Sequence, residues 1–319
     1  MLSMPEMMGD AELLHGDVRE VLSDYPVGSV QCVVTSPPYW GLRDYGVEGQ
    51  LGLEPTVQDY ISTMVRVFRD VRHALRDDGT LWLNLGDCYN AYNGNAGPSS
   101  GFSAGAACDT ERPKLKSGYG LRDKTFKPKD LLGVPWRVAF ALQEDGWYLR
   151  QDIIWHKPNP MPESVTDRCT KAHEYLFLLT KSERYYFDNA AMQEPATGGA
   201  PGNKRHKYTD AYEASASEEH RTKANLLNVG ARGTRNRRSV WTVTTKPYKG
   251  AHFATFPPAL IEPCILAGSR SGDLVMDPFN GSGTTGAVAL QHGRRYVGIE
   301  LNEKYIDLTR ERLNALTGV

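Results

Sequence analysis

Ser36-Pro37-Pro38-Tyr39 directly follows the apolar run Val30-Gln31-Cys32-Val33-Val34-Thr35, and its residue types suit a specific chemistry. Neither proline carries a backbone N–H and each fixes φ, so the run can continue neither as a helix nor as a paired strand. It must end there and project a hydroxyl, two free carbonyls and an aromatic ring past the sheet edge. A planar amino group can donate to the Ser36 hydroxyl and the Pro37 carbonyl while its ring stacks on Tyr39. Such a pocket suits a nucleobase with an exocyclic amine. The plainer alternative is a proline-terminated strand with a packed tyrosine.

A second group lies far along the chain, at Leu274-Val275-Met276-Asp277-Pro278-Phe279-Asn280-Gly281-Ser282-Gly283-Thr284-Thr285. A short apolar strand runs into a glycine turn and then into a helix-like stretch, and the next strand, Tyr296–Ile299, ends in Glu300. The glycines let backbone approach a ligand, and a carboxylate at the tip of the following strand can hold a ribose diol. Gly281 to Gly286 also matches the dinucleotide pattern GxGxxG, which raises a nicotinamide enzyme as a rival. Asp277-Pro278-Phe279 argues against it, because an acid and a proline stand where that pattern keeps small apolar residues.

The elements that must position these groups alternate. Strands are expected at Glu12–Leu14 and Val30–Thr35, with a helix at Val18–Tyr25 between them. The helix Val57–Arg76 carries Tyr60, Ile61, Met64, Val65, Phe68, Val71 and Leu75 at helical spacing, and Asp77-Asp78-Gly79 stops it before a strand at Thr80–Leu85. A helix at Pro135–Asp145 precedes a strand at Leu149–Trp155. Glu174–Thr180 reads as a strand paired in a hairpin with Tyr185-Tyr186-Phe187. A helix at Pro257–Leu266, the apolar strand from Leu274 to Asp277, a helix at Thr284–Gln291, the Tyr296–Glu300 strand and a helix at Glu303–Leu316 complete the pattern. This alternation implies an α/β fold, a mostly parallel sheet with helices on both faces.

Taken together, Thr35-Ser36-Pro37-Pro38-Tyr39 early and Asp277 to Thr285 late resemble the S-adenosylmethionine-dependent DNA amino-methyltransferases, in the class whose catalytic motif precedes its cofactor motif, often called the beta class. Two further segments support the resemblance: His15-Gly16-Asp17, and His252-Phe253-Ala254-Thr255-Phe256-Pro257. Asp152-Ile153-Ile154-Trp155-His156-Lys157-Pro158-Asn159 resembles the strand and loop after the catalytic half. The resemblance implies a Rossmann-like methyltransferase fold with an inserted DNA-recognition region and S-adenosyl-L-methionine as cofactor. It assigns Ser36, Pro37, Pro38 and Tyr39 to catalysis. To the cofactor it assigns Asp17, Thr35, Phe253, Asp277, Phe279, Gly281, Gly283, Thr284, Glu300 and Asn302. It implies a catalytic half at residues 1–193, a target-recognition region at 194–249 and a cofactor-binding half at 250–319. Members with Ser-Pro-Pro-Tyr are predominantly cytosine-N4 enzymes, whereas Asp-Pro-Pro-Tyr goes mostly with adenine-N6, which stays open as the alternative. An amine lone pair delocalised into the base is a poor nucleophile, so rate must come from orientation and electrostatic placement. The base must first leave the duplex, with Tyr39 as its stacking surface. Carbon-5 methylation needs a cysteine nucleophile, and Cys264 beside Pro263 is read as core.

Composition adds boundaries. With 37 basic and 38 acidic residues the chain is nearly neutral, so no global charge draws it to nucleic acid. From Arg221 to Gly250, however, eight residues are basic and none acidic, with Arg232, Arg235, Arg237 and Arg238 clustered. That is the footprint of phosphate binding, although such a run is ordinarily a solvated face. Residues 90–130 combine a Gly/Ser/Asn/Ala-rich stretch with a basic one and read as a mobile loop that orders on DNA. Five cysteines without CxxC, and histidines without ligand spacing, give no metal site and suit a reducing cytoplasm. No membrane partner is expected. Double-stranded DNA is the expected partner, a separate restriction endonuclease is compatible, and either a monomer or a homodimer fits.

Overall fold

In the strand Val30–Thr35 (β3) every residue is buried, as expected of a strand covered on both faces. Its end at the Pro-Pro pair sets the position of the site. The computed structural model describes residues 6–90, 121–196, 234–245 and 256–317. The chain folds as two compact units, Met1–Phe187 with Ser239–Val319, and Asp188–Arg238.

Among the described residues the first unit is built on one nine-stranded sheet. In chain order its strands are β1 (Glu6–Met8), β2 (Ala11–His15), β3, β4 (Leu75–Leu85), β5 (Tyr148–His156), β6 (His173–Thr180), β9 (Val240–Thr242), β10 (Leu274–Asp277) and β11 (Arg295–Glu300). Across the sheet the order is β1-β2-β11-β10-β3-β4-β6-β5-β9. The run β2, β11, β10, β3, β4 is parallel throughout, and β6 is antiparallel to both of its neighbours. The helices are α1 (Val18–Ser23), α2 (Val57–Ala74), α3 (Val134–Glu144), α4 (Pro258–Gly268), α5 (Thr284–Gln291) and α6 (Glu303–Thr317). Successive crossovers from β2 to β4 move one way across the sheet and the crossover from β10 to β11 moves the other. With right-handed connections, α1 and α2 therefore cover one face and α5 the other. The chain reverses direction between β3 and β10, the switch point at whose strand ends open α/β sheets place ligands.

The apolar stripe of α2 is core: Tyr60, Met64, Val67, Phe68 and Val71 are fully buried. Thr56 caps this helix through a hydrogen bond from Asp59 N, and Leu75 in extended conformation ends it. The helix thus stops before Asp77, and the next strand starts earlier than the apolar run suggests.

The structure adds detail to three of these expectations. Tyr185-Tyr186-Phe187 does not pair with β6, because β4 and β5 already occupy both edges of that strand. Tyr186 N instead donates to Asp78 O at 2.8 Å, and Phe187 stacks on Trp82. The loop at 90–130 is fastened at its far end: the buried Asn90 side chain donates to the carbonyls of Asp123, Phe126 and Lys127 and accepts from Asp123 N. Asp123 in turn accepts from Val57 N at the start of α2. Residues 91–120 lie outside the described residues. Finally, Val240–Thr242, within the expected recognition segment 194–249, is a strand of the main sheet, parallel to β5.

In the second unit, β7 (Gln193–Pro195) and β8 (Thr234–Asn236) form an antiparallel pair. Glu194 Oε1 accepts from Arg235 Nε at 2.8 Å and from Arg238 Nε at 2.7 Å. The arginine cluster therefore has an acidic partner about forty residues earlier in the chain, invisible to a local charge count. Arg237 N donates to Met192 O. Arg232 lies outside the described residues.

Candidate active site

Four neighbouring strand ends meet at the switch point. β3 delivers Ser36 and Tyr39, β10 delivers the Asp277 turn, β11 ends in Glu300 and β2 leads to Asp17. The first two are tied directly, since Thr35 Oγ1 donates to Asp277 Oδ1 at 2.7 Å. Thr285 Oγ1 donates to Asp277 Oδ2 at 2.7 Å, and Phe279 N to Oδ1 at 3.1 Å. Burial pushes the Asp277 carboxyl up to about 6, against the pull of these three bonds. Thr35 is wholly buried and Asp277 only 1 % exposed, and their hydrogen bond braces the turn.

The glycine turn has two different glycines. Gly281 has φ +53°, and among the described residues beyond its chain neighbours the nearest atom to where a Cβ would stand is Phe279 O at 3.9 Å. Gly283, at φ +71°, caps α5, and a Cβ there would lie 2.6 Å from Thr309 Cγ2. The absent side chain of Gly283 lets α5 pack closely on Thr309. Thr284 is buried and its hydroxyl accepts from Arg312. Phe279 packs half-buried beside Phe68.

Glu300 Oε2 accepts from Gly281 N at 2.8 Å and Oε1 from Asn302 N at 2.9 Å. Burial pushes this carboxyl up to about 7, with the two N–H bonds acting the other way. Leu301 N also favours the ionised form, and a carboxylate has about four lone-pair sites in all, so acceptor capacity remains for a diol. Asn302 Oδ1 accepts from Lys304 N. Asp17 caps α1 and is held in a bidentate pair by Arg19. Burial opposes its ionisation, but the Arg19 guanidinium holds the carboxyl below the ordinary range. Phe253 lies outside the described residues.

Around the Pro-Pro turn the picture is more specific than the sequence allows. Of the two proline carbonyls, that of Pro38 accepts from the Tyr60 hydroxyl at 2.9 Å, so the expectation of two free carbonyls is half right at most. Trp40 is core, 1 % exposed, its indole N–H donating to Glu54 O. The Tyr39 ring lies against Gly86, where a Cβ would stand 2.6 Å from Tyr39 Cε2. Tyr39 Oη is within 3.2 Å of Ser36 Oγ, 2.9 Å of Glu174 Oε2 and 3.2 Å of Asn84 Oδ1. Lys157 Nζ pairs with Glu174 Oε1, and both side chains are nearly buried. Burial, and then the Glu174 charge, push the Tyr39 phenol well above its ordinary range. Glu174, Lys157, Asn84 and Gly86 are residues the sequence reading did not assign to the site. The available signals were an acid opening an otherwise apolar strand, and a lysine inside Trp155-His156-Lys157-Pro158.

A family model described as DNA methylase, for the N6/N4 enzymes, matches residues 30–311. The chain belongs to the N6/N4 DNA methylase family. The Type II methyltransferase M.Cfr9I of Citrobacter freundii is 49% identical over 312 residues, covering 98% of this chain and 90% of that protein. M.SmaI of Serratia marcescens is 47% identical over 302 residues, covering 95% and 90%. Among solved structures, the cytosine-N4-specific PvuII DNA methyltransferase has a TM-score of 0.60 at 18% identity, covering 97% of this methylase and 94% of that chain. The M1.HpyAVI–SAM complex has a TM-score of 0.52 at 17% identity, covering 95% and 99%. The last two share the fold, which is the Rossmann-like methyltransferase fold.

In this methylase Cys264 is fully buried within α4, and its thiol lies 3.6 Å from Leu260 O, one turn back. It packs as a small apolar residue. Cys264→Ala is expected to leave kcat within about twofold of the parent, since packing changes away from a site act mainly on stability. Steady-state kinetics check this; abolished catalysis in a folded variant would restore the carbon-5 reading.

Proposed function

We propose that this methylase transfers a methyl group from S-adenosyl-L-methionine to the exocyclic N4 amine of a cytosine rotated out of duplex DNA. The observation that carries the reading is the position of Ser36 and Tyr39 at the end of β3, next to the Asp277 turn across the switch point. The donor set fits the cofactor. Glu300, with acceptor capacity left beyond its backbone N–H bonds, suits a ribose diol, and among the described residues beyond its chain neighbours nothing comes closer than 3.9 Å to a Cβ position at Gly281. Asp17, at the neighbouring strand tip, and Asn302 complete that edge, with Phe253 assigned to the methionine side by resemblance. When bound, the cofactor supplies an electrophilic sulfonium methyl group.

This chain's residues prepare the nucleophile. Ser36 Oγ and the Pro37 carbonyl accept the two amine N–H bonds, which favours a pyramidal nitrogen over one conjugated with the ring. Tyr39, braced on Gly86, offers its other face to the extruded base. No covalent enzyme intermediate is required. The unit Asp188–Arg238, with Arg235, Arg237 and Arg238, is assigned to the DNA, together with Arg232. By analogy with the Type II relatives, the biological task is modification of a specific site against a separate endonuclease.

Incubating the protein with duplex DNA of mixed sequence and labelled S-adenosyl-L-methionine, followed by digestion to nucleosides and mass spectrometry, tests the assignment. N4-methylcytosine is expected. N6-methyladenine would retain the methylase and refute the choice of base, and labelled RNA or protein without labelled DNA would refute the substrate.

A further inference from the structure

A serine hydroxyl is a rotor that can donate or accept, whereas a carboxylate in the same place accepts only. If Ser36 turned its proton outward it would meet the amine N–H donor to donor. The bonds around Tyr39 prevent this. Tyr39 has one hydroxyl proton, and the acceptor at 2.9 Å is the Glu174 carboxylate, with Asn84 Oδ1 farther away at 3.2 Å. The Asn84 amide nitrogen is itself committed to Tyr175 O at 3.0 Å. With its proton spent on Glu174, Tyr39 Oη can only accept from Ser36 Oγ, 3.2 Å away.

We infer that Glu174 is the positioning residue for Ser36: by taking the Tyr39 proton, it obliges Ser36 to point its own proton at Tyr39 and to present only lone pairs to the amine. The inference rests on the reading of Ser36 as the amine acceptor. It gives a physical account of how a neutral serine can stand where related sites place an acid. The negative charge is present, two hydrogen bonds behind the reacting oxygen, and each bond in such a chain polarises the next. The charge is built in: Lys157, over the Trp155 ring at 4.2 Å, is its counter-ion. Lys157 and Glu174 are each 7 % exposed. A buried pair of this kind is a poor way to gain stability, which fits a role in orienting the site. Gly86 contributes by letting the Tyr39 ring lie close enough for the hydroxyl to reach both partners.

Tyr39→Phe keeps the ring, the stacking face and the Lys157–Glu174 pair, and removes only the linking hydroxyl. Its kcat is expected to fall about 10- to 100-fold, the scale of a hydrogen bond to a charged group, with cofactor Kd and DNA KM within about twofold of the parent. Glu174→Gln is expected to lose a similar amount. The double variant should be no slower than the slower single one, because both changes cut the same chain. A Tyr39→Phe enzyme with parental kcat overturns the inference, as do losses that multiply in the double variant. Should Glu174→Gln fail to fold, the Tyr39→Phe kinetics decide alone. A Ser36→Ala enzyme with parental kcat would instead overturn the underlying reading of the pocket.

Discussion

Ser36→Ala is expected to lower kcat by about 10²- to 10³-fold, the usual loss when one pre-aimed polar group is removed from a reacting centre. Cofactor Kd should change by less than about threefold, since transition-state contacts contribute little to ground-state binding. The fold should tolerate the change. Among the described residues Ser36 makes one side-chain hydrogen bond, to Tyr39 at 3.2 Å, and Tyr39 keeps its shorter bond to Glu174. Alanine leaves an amine N–H facing a methyl group, so the nitrogen relaxes toward conjugation with the base. Single-turnover methylation of a duplex, alongside cofactor titration of the same preparation, separates the two effects. Equal losses in kcat and cofactor affinity would mean that Ser36 shapes the cofactor site and not the amine site.

The second large effect concerns Glu300 and pH. Its carboxyl is pushed up to about 7 by burial, yet a carboxylate able to accept from a diol is the ionised form. Cofactor affinity is therefore expected to be constant above pH 7 and to weaken as pH falls, approaching about tenfold per unit well below the folded pKa. Glu300→Gln should abolish this slope and weaken Kd at pH 8 by about 10- to 100-fold, the scale of losing charged hydrogen bonds. Its kcat at saturating cofactor should change far less. Isothermal titration from pH 5.5 to 8.5 checks both, and a slope that survives in the variant would assign the titration elsewhere.

The same group predicts a stability trend of definite sign. A carboxyl whose folded pKa lies above its unfolded value contributes stability that is fully present below the unfolded value and is lost as pH rises through the folded one. For Glu300 that window runs from 4.5 to about 7, and for Asp277 from 3.8 to about 6. The stability that these two carboxyls contribute to the ligand-free protein is therefore lost over the range in which the cofactor site becomes competent. Functional sites commonly carry such a cost.

Much of this architecture was legible locally. The all-buried strand Val30–Thr35, the stripe on α2, the glycine turn after β10 and the terminal Glu300 follow from periodicity and from proline and glycine punctuation, which act over a few residues. The order of those motifs was enough to suggest the family. Where the reading went astray, a distant partner decided the outcome. Tyr185–Phe187 has the composition of a strand, but β6 had no edge left to offer. The stretch 121–130 looked like part of a loose loop, but Asn90 and Val57 fasten it. Val240–Thr242, set in a polar, basic run, becomes a strand because it completes the sheet beside β5.

By itself, then, the sequence determined which residues stand at strand ends, because a Pro-Pro pair or a glycine turn terminates a strand whatever surrounds it. Only the tertiary structure decided what those residues do to one another. Thr35 and Asp277 are 242 positions apart and share a hydrogen bond. Tyr39 and Glu174 are 135 apart and share another. Which carbonyl of the Pro-Pro turn is occupied, and which way the Ser36 hydroxyl points, depends on those pairings. They are set by strand order and register, and these are fixed by the whole core packing at once, not by any short window of the chain.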